Sequence, residues 1–311
     1  MIRAALERTA AMGTWLMASA FVIGYLIPPL ASACRGLILP AILVILTVAM
    51  LRLDVARLRG YIRRPGTMAL IVAVNLIAAP ILMWFLLTPL DIPDGLRQGM
   101  VLLAAAPMVS SAIAFATILE LDSALAVAVM VASYAVVPLT LPVLSLWLLN
   151  LDLGVGFFEL FGRLFATIAV PAAIAFVIRR WICSVGTMTK NARALDGVSV
   201  LFVMLFGFGI VDGLPAFTSA KPDYVLLVLA ASFAANIGLQ VLGASLFLWM
   251  GRQEALTVGL VTGNTNLGLV MVTLADRAPP ELVVCFVLGQ VPMYFLPVVA
   301  LPVYRRLMRA W

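Results

Sequence analysis

Two short stretches interrupt otherwise apolar runs with groups suited to binding a solute. The first is Ala106-Pro107-Met108-Val109-Ser110-Ser111 and the second is Thr262-Gly263-Asn264-Thr265-Asn266-Leu267-Gly268. Pro107 has no backbone N–H and its ring collides with the preceding helical turn. Gly263 and Gly268 weaken a helix by their backbone freedom. Unwound backbone exposes N–H and C=O groups, which an apolar segment tolerates only where protein or a wet cavity satisfies them. Each break also creates a new half-helix N-terminus, whose positive dipole end suits a carboxylate or another anion. Ser110, Ser111, Asn264, Thr265 and Asn266 would add hydroxyl and amide groups to the same place. Asn75 lies mid-span, five residues before Pro80, and serves equally well as helix-packing glue or as a ligand. The chemistry on offer is reversible binding of a small anion.

Residue types argue against catalysis. Histidine is absent, which removes the commonest general base and the commonest metal ligand. Cys34, Cys183 and Cys285 are too scattered for a disulfide framework or a metal cluster. An intramembrane protease needs a paired Asp, a Ser with a base, or a metal, and Asp212 has no second mid-span Asp. No enzyme and no bound cofactor are expected. The other charged groups have plain readings. Glu159 and Arg163 form an i,i+4 ion pair near a helix end. Asp212 closes a helix at headgroup level. Glu120 and Asp122 occupy a short turn and cap the next helix. Gly207 and Gly209 permit close helix packing.

The elements that must hold these residues are membrane spans. Of 311 residues, 64% are hydrophobic and 11% charged, with a mean hydropathy of +1.16. A soluble domain is about half apolar and a quarter charged, so lipid must solvate much of this surface. Apolar runs between charged or turn-forming punctuation give ten predicted helices: 11–30, 37–51, 67–88, 96–119, 123–149, 157–178, 195–212, 224–250, 255–275 and 281–304. With both termini in the cytoplasm, the inner side holds Arg3, Arg8, Arg52, Arg57, Arg59, Arg63, Arg64, Arg179, Arg180, Lys190, Arg193, Arg252, Arg305, Arg306 and Arg309. The outer side holds only Arg35, Arg97, Lys221 and Arg277. That asymmetry follows the positive-inside rule and places the chain in an inner or plasma membrane. The net charge of +6 then faces an anionic leaflet. No basic helix or aromatic-interleaved basic run points to nucleic acid. Ala31-Ser32-Ala33-Cys34 after an apolar run imitates a cleavage site, but the length of that run and Pro28-Pro29 favour an uncleaved first helix.

Five helices is an odd number, so a second set of five runs inverted relative to the first. The longest polar connector, 179–194, divides the chain into 1–178, which holds the first repeat plus helix 6, and 179–311, which holds helices 7–10 and completes the inverted repeat. The two breaks fall in the fourth helix of each set. Matching interruptions in inverted halves point to a binding site near the midplane.

At the breaks the chain resembles the bile acid:sodium symporter superfamily. The resemblance lies in Pro107-Met-Val-Ser-Ser through Leu119, Asp122-Ser-Ala-Leu-Ala-Val-Ala-Val, and Pro138 to Pro142. It continues in Gly263-Asn-Thr-Asn-Leu-Gly-Leu and in Gly289-Gln-Val-Pro-Met-Tyr-Phe-Leu-Pro297. It implies an all-α polytopic fold with crossed, discontinuous helices 4 and 9. Helices 3–5 and 8–10 would form a core domain, and helices 1, 2, 6 and 7 a panel domain. It also implies substrate contacts at Ser110 and Asn266 and sodium as coupling ion. The family's oxygen ligands, however, fall on Ala112, Ile113, Ala126, Met130 and Val261, and its helix 9 Gln on Thr265; the helix 3 Gln position holds Asn75. A hard cation wants several oxygens, so both of the family's sodium sites are expected to be severely weakened, which leaves coupling to protons, to one residual cation or to no ion open. The cysteine expected of the related arsenite exporters is also missing from helix 4.

The expected function is a secondary carrier of a small organic anion that works by alternating access, with lipid as its surroundings and no oligomer required. An auxin-efflux-type carrier of the same architecture, or a receptor or scaffold that keeps the fold without transport, are the alternatives.

Overall fold

The structure is a computed structural model that describes residues 2–53, 60–61, 63–182, 185–274 and 276–309. Arg57, Arg59 and Cys183 lie outside the described residues. Among the described residues the secondary structure is helical throughout, with a single isolated β-bridge.

The chain opens with α1 (Ile2–Ala11), α2 (Gly13–Leu26), α3 (Pro28–Arg35) and α4 (Ile38–Leu51). Then come α5 (Pro65–Leu87), α6 (Asp94–Ala105), α7 (Ser111–Ile118) and α8 (Ser123–Leu148). Three long helices follow: α9 (Phe157–Ile182), α10 (Ala192–Ala220) and α11 (Pro222–Leu246). The last are α12 (Arg252–Gly263), α13 (Leu267–Leu274), α14 (Pro280–Leu288), α15 (Val291–Val299) and α16 (Leu301–Arg309). Five of these, α5 and α8 to α11, are each long and apolar enough to cross a membrane; the pair α3–α4, bent by 68°, would make a sixth. The chain is a multi-pass membrane protein.

Several predicted spans are broken or reshaped, and proline explains most of it. The stretch 11–30 is not one helix. Pro28 and Pro29 do not end a helix but begin α3, because the first helical positions need no N–H. The stretch 281–304 is divided into α14, α15 and α16, whose early positions hold Pro280, Pro292 and Pro302. In α5, Pro80 is accommodated by a π-helical turn over Val74–Ala78, where the Ala79 amide reaches back to the Val74 carbonyl. The span predicted at 195–212 extends to Ala220 past a left-handed Gly213, with φ 80°.

The chain forms two compact units, residues 1–53 with 165–223 and residues 54–164 with 224–311. In the first unit α10 is the centre, packed by α1 to α4. Its glycines make that packing close. A Cβ on Gly197 would lie 2.1 Å from the Leu6 carbonyl oxygen, and one on Gly209 would lie 2.7 Å from that of Cys34. Polar ties sit toward both ends of α10. Asp196 pairs with Arg52, while Asp212 accepts from Ser32 at 2.7 Å and Arg35 at 3.3 Å. Asp212 lies at the turn within α10 just before Gly213, where the regular helix stops at Ile210.

In the second unit α6 packs on α5 and α14, and α8 packs on α5, α7 and α12. Gly99 lets α14 approach so closely that a Cβ there would lie 2.3 Å from the Cβ of Cys285. Arg163 bonds both Glu159 and Asp276. Asp122 caps α8 by accepting from the amides of Ala124 and Leu125, each at 2.9 Å, and it also accepts from the Tyr61 hydroxyl. Burial, and then the Asp122 carboxylate, push the Tyr61 phenol above its usual range and keep it a neutral donor. The Asp122 amide donates to Thr257 at 3.0 Å, tying this turn to α12. Asp122→Ala removes the acceptor of three donors and should cost about 1–2 kcal/mol of stability, read as a lower unfolding temperature of detergent-purified protein. An unchanged unfolding temperature would show that the cap is idle.

Candidate functional site

The site lies in the second unit, where α6 and α12 both stop short. The peptide before Pro107 forces Ala106 into extended backbone, with φ −69° and ψ 144°. The chain stays unwound to Ser110 and resumes as α7. On the other side Asn264, Thr265 and Asn266 separate α12 from α13. The two gaps cross and bond to each other. Met108 and Thr265 form an antiparallel bridge, with the Val109 amide donating to the Asn264 carbonyl at 3.0 Å and the Asn266 amide to the Pro107 carbonyl at 2.6 Å. Backbone groups that each helix gave up are thereby satisfied by the other.

Side chains deal with the remaining carbonyls. Because Pro107 has no N–H, the Leu103 carbonyl lacks its helical donor, and the Thr265 hydroxyl supplies one at 2.8 Å. The Gly263 carbonyl also loses its helical partner, since the Leu267 amide turns to the Thr265 carbonyl. Asn236 of α11 donates to it instead, at 2.7 Å. The approach of α11 is tight: a Cβ on Gly263 would lie 2.4 Å from Gln240 Cγ and 2.6 Å from the Asn236 carbonyl oxygen. Glycine is required there by proximity.

The two helix starts at the crossing are treated differently. Asn266 caps α13, accepting from the Leu269 amide at 3.1 Å, and donates its Nδ2 to the Tyr134 hydroxyl at 3.0 Å. Ser110 makes no such bond for α7. Ser111 Oγ, Ser133 Oγ and Asn264 Oδ1 are buried with no hydrogen-bond partner among the described residues. Asn264 Nδ2 folds back to the Leu260 carbonyl at 2.8 Å, so its free oxygen is an acceptor without a donor. Polar capacity therefore remains at the start of α7 and beside Asn264. The carbonyl ends of α6 and α12 are blunted, while at the start of α7 the Ala112 and Ile113 amides bond the Val109 and Ser110 carbonyls at 3.1 and 3.2 Å and the two serine side chains stay uncommitted.

Pro107, Asn264, Thr265 and Asn266 thus meet directly. Ser110 and Ser111 follow the Val109 bond on the same strand of backbone. Asn75 sits in the π turn of α5 with its Oδ1 2.8 Å from the hydroxyl of Thr262, two residues before the unwound Asn264. Sequence reasoning overlooked Asn236 and Tyr134. A polar pair four residues apart in apolar α11, Asn236 and Gln240, was the available signal; Tyr134 offered none beyond its own hydroxyl.

Five of the six positions that the resemblance assigns to sodium ligands carry apolar side chains, four of them buried and Ile113 half-buried. Ala112, Ala126 and Met130 are fully buried and Val261 is 1% exposed. Thr265 donates its proton to Leu103, and its oxygen is the one side-chain oxygen at these positions, fewer than a hard cation wants. These residues do not fit a hard cation.

A family model described as the Sodium Bile acid symporter family matches residues 39–214, more than half of the chain. The chain belongs to the sodium bile acid symporter family. It is a membrane transporter of that type. The match takes in the first break and ends before the second. No curated protein matches the chain significantly.

The crossing of this symporter-family chain makes a specific demand on Thr265. Thr265→Val keeps the side-chain shape and strands the Leu103 carbonyl, at a cost of roughly 1–3 kcal/mol. Adding Pro107→Ala restores an N–H four residues after Leu103 and should recover part of that loss in thermal unfolding. Parental stability of Thr265→Val would show that the hydroxyl does not serve the carbonyl.

Proposed function

We propose that this protein is a secondary carrier of a small organic anion, working by alternating access. The observation that carries the reading is the asymmetry at the crossing. Carbonyl ends are neutralised by Thr265 and Asn236, while the start of α7 keeps Ser110 uncapped and Ser111 unpartnered. Such a place favours an acceptor-rich, negatively charged group. Ser110, Ser111 and Asn266 would contact the anion, Asn264 and Thr265 would line the same gap, and Asn75 would support it through Thr262.

In this reading the ten spans form two inverted sets of five. The unit holding the crossing acts as the core domain, and the unit built on α10 acts as the panel domain. Both termini face the cytoplasm of a cell with the chain in its inner or plasma membrane, which the arginine distribution supports. The carrier needs no oligomer and has no catalytic step. Coupling to sodium is abandoned, because the apolar side chains at five of the ligand positions, four of them enclosed, offer no oxygen. Proton coupling has no carboxylate at the crossing to carry it, so exchange or facilitated diffusion is the transport mode.

Uptake of labelled mono- and dicarboxylates into proteoliposomes tests this. Parental protein should move at least one of them, with less than a twofold change when choline replaces sodium. Ser110→Leu and Asn266→Leu should abolish that uptake while remaining folded in detergent. Normal uptake by either variant would remove the site. A steep sodium dependence would overturn the coupling argument, and absence of flux for every anion would favour a scaffold.

A further inference from the structure

The second break is anchored by more than Asn236. Asn236 is 2% exposed and donates its Nδ2 to the Gly263 carbonyl. Its Oδ1 accepts from Gln240 Nε2 at 2.6 Å, and Gln240 Oε1 accepts from the Tyr304 hydroxyl of α16 at 2.6 Å. All four residues belong to the second unit.

The direction of this chain is dictated from one end. A backbone carbonyl only accepts, so Asn236 must present its NH2 to Gly263. Its oxygen then faces Gln240, which must present its own NH2. The Gln240 oxygen in turn faces Tyr304, which must donate. Reversing either amide would set two acceptors against each other on the side nearer Gly263. The Gly263 carbonyl therefore fixes the orientation of both amides, and the Tyr304 hydroxyl satisfies the last oxygen and holds the Gln240 side chain in place. Hydrogen bonds aligned head to tail also polarise one another in a low-dielectric interior.

We propose that Asn236, Gln240 and Tyr304 are positioning residues of the binding site. They hold the α12–α13 break unwound and tie the C-terminal helix to it. None of the three needs to touch the solute. Without a donor on Gly263 its carbonyl would compete for the Leu267 amide, drawing α12 and α13 toward one continuous helix and away from the bond to Pro107. The helix at the head of the chain, α16, exposes Arg305 and Arg306. A displacement of α16 would thus strip Gln240 Oε1 of its donor and loosen the two amides that lead to Gly263. The site being positioned is that of the carrier reading, but the test reads backbone opening rather than flux.

Hydrogen exchange of the full chain in detergent micelles, followed by mass spectrometry, makes the comparison. Tyr304→Phe removes one oxygen and keeps the ring; Gln240→Met keeps the length and removes the amide. Each should speed exchange roughly fivefold in the peptide spanning 263–269, and leave peptides from α10 unchanged. The double variant should be no faster there than the faster single variant, as for links of one chain. Unchanged exchange at 263–269 in both singles, an even rise across the whole chain, or effects that multiply in the double variant would each overturn the proposal. Should Tyr304→Phe not fold, Gln240→Met decides by the same local comparison. A protein that moves no anion but shows the local, non-additive response would refute the carrier reading and leave the positioning chain intact.

Discussion

A missing proton donor at Pro107 governs the architecture of the site. In a helix the Leu103 carbonyl would bond the amide four residues on, and residue 107 has none to give. In apolar surroundings that carbonyl needs a donor from elsewhere, at a cost of several kcal/mol if it finds none. It finds the Thr265 hydroxyl. Once Thr265 is held against α6, the second gap lies across the first, and their backbones pair through Met108 and Thr265. The break at Gly263 then needs its own donor, and Asn236 supplies it. Each irregularity is compensated by a neighbour that is itself irregular, so neither gap is stable alone.

That interdependence explains what was legible in the sequence. The gaps themselves were, because proline, glycine and asparagine act on their own backbone within a turn. Membrane class was legible from composition, which no soluble core of this size can absorb. The partners of the freed carbonyls were not, because Thr265 and Asn236 are assigned by contacts far away in the chain, as is Tyr134, which accepts from the Asn266 side chain. Local proline chemistry also cut the other way. Pro28-Pro29 and Pro292 sit at helix starts rather than ends, so two apolar runs that looked continuous are divided. Asn75 was marked as a candidate from its depth alone. Its neighbour proves to be Thr262, two residues before the unwound Asn264, a link that periodicity could not foresee.

Family membership and site chemistry pull in different directions, and the contrast is informative. The chain belongs to a family described by its sodium symport, yet the positions that would hold the cation carry alanine, isoleucine, methionine and valine. A bound cation would organise unwound backbone by drawing carbonyls toward itself. Here side-chain donors do that work: a threonine hydroxyl and an asparagine amide face the same kind of carbonyl that a cation would. The hydroxyl groups of Ser110 and Ser111 at the start of α7 remain over. In the carrier reading proposed above, they are the groups that would receive an acceptor-rich solute.

The pairing of the two gaps is open to direct measurement. Residues 108 and 265 face each other as a non-hydrogen-bonded antiparallel pair, which sets their Cα atoms about 4.5 Å apart, within the range that a disulfide spans. Cysteines placed at both positions, in a chain with Cys34, Cys183 and Cys285 replaced by alanine, should join on mild oxidation in native membranes. A protease site inserted in the connector 179–194 would reveal the bond as a fragment pair that separates only after reduction. Rapid, near-complete joining is the expected result. Fragments that separate without reduction, while both cysteines prove to be unmodified thiols on labelling in denaturant and the variant keeps the parental unfolding temperature, would contradict the crossing and everything derived from it.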